Sequence, residues 1–104
     1  MNNDEYIVFL KETLEKIENI INFLKQDTPK HVLAYHKALG VQQKMTGLGT
    51  GYKEKMFPQL IIARSIISYL INGKYEDVYS QTLKLKGNLV KICLALENEK
   101  NKDK

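Results

Sequence analysis

Residues 44 to 55, KMTGLGTGYKEK, gather the side chains best suited to hold an anion. Gly47, Gly49 and Gly51 fall within five positions, with Lys44 before them and Tyr52, Lys53 and Lys55 after. Glycine lets a main chain approach a phosphate with no Cβ in the way, and amide and ammonium groups then supply the attraction. A tyrosine set among lysines adds a ring on which a base of single-stranded nucleic acid can stack. The candidate phosphate- and nucleic-acid-contacting residues are therefore Lys44, Thr46, Gly47, Gly49, Tyr52, Lys53 and Lys55. The plainer reading, a flexible connection with one half-buried tyrosine, is the preferred one. A nucleoside-triphosphate loop is excluded by spacing, since it needs four residues between its first glycine and a Gly-Lys-Ser/Thr. No strand precedes the glycines, as a dinucleotide fold requires.

The remaining candidates are fewer. Arg64 is the only arginine and sits inside LIIARSIISYLI, residues 60 to 71. It is expected to reach the rim or pair with Glu12 or Glu15; the alternative is that it faces a partner protein, which makes it the candidate partner-binding residue. His31 and His36 are five positions apart, about 140° around a helix, so they cannot share a metal ion from one face. Neither metal nor cofactor is expected. Glu12, Glu15, Glu18 and Asp27 are spaced like a solvated face, and Ser65, Ser68 and Ser80 have no motif around them. With no nucleophile and base brought together, an enzyme is not expected. The single cysteine, Cys93 in KICLALE, allows no intramolecular disulfide and reads as a buried thiol in a reducing cytoplasm.

The segment TGLG, residues 46 to 49, resembles the hairpin of helix-hairpin-helix DNA-binding modules in placing Gly-aliphatic-Gly between two helices. That resemblance implies that the turn's backbone amides meet a phosphate of the DNA backbone. Thr46 stands where the family commonly has proline, and Gly51 and Tyr52 follow where a regular helix should start. In size and lysine content the chain is also similar to bacteriocin immunity proteins, which are small four-helix bundles.

Those side chains need elements to position them. A chain of 104 residues, 43% apolar and 27% charged, is one globular domain. Ile7, Leu10, Leu14, Ile17, Ile21 and Leu24 alternate steps of three and four, predicting a helix over 5–26 capped by Asn3 or Asp4. Thr28 and Pro29 read as the cap and first position of a second helix, running to about Gly40 or somewhat beyond with Val32, Tyr35, Ala38 and Leu39 inward. Pro58 marks the start of a third helix, apolar on almost all sides and so expected at the centre, which Asn72-Gly73-Lys74 ends. Val78, Thr82, Leu85, Leu89, Ile92 and Leu96 predict a long last helix, or two if Gly87 divides it and Asn88 caps the second half. The fold class is therefore all-α, a compact bundle of four helices, or five, with one Gly-rich crossover. Residues 1–99 form a single helical domain and 100–104 a disordered basic tail.

The formal net charge is +4, and the first 27 residues are acidic while 28–57 are strongly basic. All but one of the basic residues are lysine, which matches an AT-rich genome more closely than a dedicated base reader. The N-terminus has no secretory pattern, and the longest apolar run is too short to span a membrane. The functional expectation is a small non-enzymatic accessory or binding protein of a Gram-positive bacterium, phage or mobile element. It acts in the cytoplasm through a protein partner, could also bind nucleic acid through 44–55, and is expected as a monomer before a dimer. The alternative is an immunity or inhibitor protein.

Overall fold

Asn2 opens the first helix: its side-chain Oδ1 accepts the backbone N–H of Glu5 at 2.8 Å, satisfying a donor that the first turn leaves free. The computed structural model describes residues 2–48 and 50–102, apart from the side chains of 50–55 and 102. Helix α1 spans Asn3–Lys25, so the cap lies one residue before the predicted pair Asn3 and Asp4. Its buried stripe holds Tyr6, Leu10, Thr13, Ile17 and Ile20, with Leu14 and Leu24 half-buried at its edge.

Helix α2 spans His31–Thr46. It begins two residues after the predicted start at Pro29, because the Lys30 amide is drawn back to the Phe23 carbonyl at 3.0 Å, pinning the reversal of the chain. Lys30 rather than Thr28 holds the cap position, and no side chain caps it. That register turns Ala34, Ala38, Val41 and Met45 inward, leaves Tyr35 and Leu39 partly covered, and puts Val32 outside at 69% exposure. Val32 was expected inside.

Helix α3 spans Thr50–Ile71 and α4 spans Tyr75–Lys102. Pro58 lies within α3 instead of opening it. Its missing N–H removes one bond to the carbonyl four residues back, a loss taken on an exposed side of the helix. The crossover between α2 and α3 therefore shrinks to residues 47–49. Between α3 and α4, Gly73 adopts φ +72°, while the Lys74 amide reaches the Tyr69 carbonyl at 2.9 Å and the Gly73 amide that of Leu70. This is a Schellman stop, and the left-handed position is the reason for the glycine. Helix α4 passes through Gly87 without a break, so the described residues form four helices. Asn88 caps nothing; its amide donates to Gln59 Oε1 across the α3–α4 interface at 3.0 Å. The helix also runs to Lys102, past the expected start of a disordered tail at residue 100; residues 103–104 of that tail lie outside the described residues.

The helices pack in a ring in which α1 touches α2 and α4, and α3 touches the same two, with α1 and α3 diagonal. Ion pairs Asp4–Lys100, Lys11–Glu97 and Glu18–Lys86 step along α1 and α4 in opposite directions, so the two are antiparallel. Short connections make the other neighbours antiparallel as well. No helix of such a ring is enclosed, and α3 is not its centre: Ala63, Ile66 and Leu70 are buried, while Phe57, Ile61 and Ile71 stand in solvent. The expectation of a buried central helix fails because four helices share one core, and each can bury only the stripe that faces it. No helix among the described residues is long and apolar enough to cross a membrane.

Candidate functional site

The described part of the glycine turn is spent on its own structure. Lys44 Nζ lies 2.7 Å from Glu12 Oε2 and stands over the ring of Phe9, 6.0 Å from its centroid. Thr46 donates its hydroxyl to the Gln43 carbonyl at 2.9 Å. Gly47 closes α2 with φ −79°, a conformation open to any residue, and its amide reaches the carbonyl of Gln43. The amide of Leu48 reaches that of Met45, and the Leu48 side chain is buried in the end of the bundle. Gly47 and Leu48 thus present no open pair of amides to an anion. Gly49 and the side chains of Tyr52, Lys53 and Lys55 lie outside the described residues; the backbone of 52, 53 and 55 belongs to the first turns of α3.

A different surface emerges beside that turn. Helix α3 carries two interleaved stripes, each with the three-and-four spacing of a packing seam. Met56, Gln59, Ala63, Ile66 and Leu70 are buried against the bundle. Phe57, Ile61, Arg64, Ser68 and Ile71, about 140° further round the helix, are exposed. Phe57 is 57% exposed, Ile61 49% and Ile71 67%. Leu60 and Ile67 lie between the stripes and are half-buried.

Where this outer stripe borders α2, the surface is concave at both ends. One hollow of about 280 Å³ is walled by Met45, Met56, Phe57 and Leu60, with Thr46 and Arg64 at its rim. The other, about 260 Å³, is formed by His31, Val32, Tyr35, Leu70, Ile71 and Tyr75. His31 lies flat on Tyr75 there, with ring centroids 3.5 Å apart and planes 5° from parallel. Both hollows fall below the roughly 300–1,000 Å³ of cofactor and small-molecule sites. Each has room for a large apolar side chain.

Arg64 stands at the middle of the stripe. It is exposed and makes no ion pair among the described residues. Pairing with Glu12 or Glu15 does not occur, since α1 lies diagonally across the bundle from α3 and Glu12 is held by Lys44. The structure thus brings together Thr46 and Arg64 of the sequence candidates and places Lys44 on the other side of α2, against α1. Sequence reasoning missed Phe57, Ile61, Ile71 and Val32. The usable clue was that α3 has more apolar residues than one stripe can bury.

Catalytic groups do not converge in the described residues, and no cluster of three His, Cys, Asp or Glu side chains forms there. Cys93 is buried, with Sγ 3.7 Å from Glu97 Oε1, and desolvation together with that carboxylate raises its pKa. Such a thiol is a poor nucleophile. Compared with protein-family models, with curated proteins and with solved structures, the chain matches none.

Proposed function

We propose that this chain is a small non-enzymatic binding protein that acts by docking a partner protein on the face formed by α2 and α3. The observation that carries this reading is the outer stripe of α3: from Phe57 to Ile71 it holds one charged residue, Arg64, and keeps three large apolar side chains in solvent. A helix that folded only for its own bundle would carry mostly lysine and glutamate there, as the outer side of α1 does with Lys11, Glu15 and Lys25 around one exposed valine, Val8. An immunity or inhibitor role is a form of the same reading, with the target protein as the partner.

Affinity capture from the native host tests it, with the parent and a Phe57→Ser/Ile61→Ser variant compared side by side. A partner retained by the parent and lost by at least tenfold from the variant, at unchanged helix content, is the expected result. Equal retention overturns the reading. A DNA complex at about 50 mM salt that weakens steeply with added salt and on changing Lys44, Lys53 and Lys55 to glutamine would move the function to the glycine turn instead.

A further inference from the structure

Charge is as uneven as burial on the α2–α3 side. Between Asp27 and Glu76 the chain has one acidic residue, Glu54, against Lys30, Lys37, Lys44, Lys53, Lys55, Arg64 and Lys74. Lys44 is held by Glu12 on the other side of α2, Lys37 stands there too, and the side chains of Lys53 and Lys55 lie outside the described residues. The charge on the docking face itself is therefore that of Arg64 at mid-length, whose guanidinium has no carboxylate among the described residues.

Resting on the docking reading above, we infer that the occupant is an acidic amphipathic helix of another protein, laid along α3 with a carboxylate opposite Arg64. The length fits. Phe57 to Ile71 covers about 21 Å, four turns of a partner helix. The hollows at Leu60 and at Leu70–Ile71 are about 15 Å apart along the axis, so two large apolar side chains some ten or eleven residues apart would fill them. Arginine suits the centre of such a contact, because its planar fork pairs bidentately with a carboxylate once both are removed from water.

A second copy of this chain fits less well. Any two-fold pairing that uses the whole stripe, parallel or antiparallel, sets Arg64 against Arg64 and two acid-poor surfaces against each other. An anionic lipid surface would accept the charge and the apolar side chains, but it has no protruding groups for two separate hollows.

The test uses three synthetic 21-residue helical peptides, alike in leucines at heptad spacing and differing at the central seam position, which is Glu, Gln or Lys. Binding to the parent is read by fluorescence anisotropy. The Glu peptide is expected to bind at least about tenfold more tightly than the Lys peptide, and Arg64→Glu to reverse that order. Phe57→Ser/Ile61→Ser should weaken all three. If the three peptides bind equally, or Arg64→Glu leaves the order unchanged, the acidic-helix inference is overturned. The docking face itself survives that result if the Ser variant still binds less, and falls with it if the variant binds as well as the parent. Sedimentation of the parent as a dimer that Ile61→Asp dissociates would assign the face to a second copy. Tighter binding to vesicles of anionic phospholipid than to the Glu peptide, lost in the Ser variant, would assign it to a membrane. Either outcome overturns the inference.

Discussion

Helices α1 and α3 lie diagonally across the same bundle and solve the same burial problem, yet their outer faces differ. Around α1, four ion pairs reach to its neighbours: Asp4–Lys100, Lys11–Glu97, Glu18–Lys86 and Glu12–Lys44. Every ion pair among the described residues has one partner on α1. Beyond Met56, α3 has a single charge and a second apolar stripe pointing away from the core. Both helices bury one seam well, so stability does not explain the contrast. What differs is the use of the remaining surface: α1's is tied to its own neighbours, and α3's is left available.

The sharpest way to break this comparison is to put the same charge on the two stripes of α3. Ile66 is buried and Ile61 is about half exposed. An unpaired carboxylate at Ile66→Asp has neither water nor a cation to offset its desolvation and should cost more than about 4 kcal/mol, enough to unfold a domain of ordinary stability. Ile61→Asp should stay within about 0.5 kcal/mol of the parent, since the new group remains hydrated. Thermal unfolding followed by circular dichroism checks both. If Ile61→Asp also unfolds the protein, the outer stripe belongs to the core and the docking face does not exist.

This distinction marks how far the sequence could be read. The all-α class, the extent of α1, the stop at Gly73 and the stripe of α4 were legible because each rests on local periodicity or turn chemistry. The start of α3 was not. Pro58 is a good first residue of a helix, and only packing of the segment around Met56 against the bundle makes it worth carrying a proline past the first turn. The centrality of α3 was misread for a related reason: periodicity tells how many apolar residues a helix has, while the number of neighbours that can cover them is a property of the bundle. The candidate site was legible only in Arg64 and Thr46. Its apolar floor joins residues of α2 and α3 more than ten positions apart, and the lysines that drew attention to the loop gave no hint that Lys44 is engaged by Glu12.

A smaller contrast separates the glycines of α3 and α4. Gly73 ends α3 at φ +72°, where an L side chain is strained, so Gly73→Ala should destabilise by about 1 kcal/mol. Gly87 lies inside α4, and a Cβ built there meets nothing within 4 Å. Gly87→Ala should stabilise by about 0.5–1 kcal/mol, mainly by narrowing the unfolded ensemble. Urea titrations of the two variants should move the midpoint in opposite directions with little change in slope. A loss of stability at Gly87→Ala would mean that α4 is not continuous through Gly87 and that its ion-paired interface with α1 is divided there.

The smallest expected effect belongs to the ion pairs themselves, and its sign is fixed by their titration. The hydrogen bond and charge of Lys44 lower the pKa of Glu12, and those of Lys11 lower that of Glu97; the Glu97 carboxylate in turn raises the pKa of Lys11. A lowered carboxyl pKa contributes stability that is fully present above its unfolded value, near 4.5, and is lost as pH falls through the folded one. The raised lysine acts in the opposite sense: its share is present below the unfolded value, near 10.5, and is lost as pH rises through the folded one. Lys11 and Glu12 are exposed and Glu97 is partly so, so the changes should be slight and should shrink further in salt. A Lys11→Ala/Lys44→Ala variant is therefore expected to lower Tm a little at pH 7 and to flatten its decline below pH 4.5. Arg64→Ala, which removes a cation with no ion pair among the described residues, should leave the Tm and its dependence on pH and salt where they are. A change in that profile on removing Arg64, equal to that on removing Lys11 and Lys44, would erase the difference between the two faces.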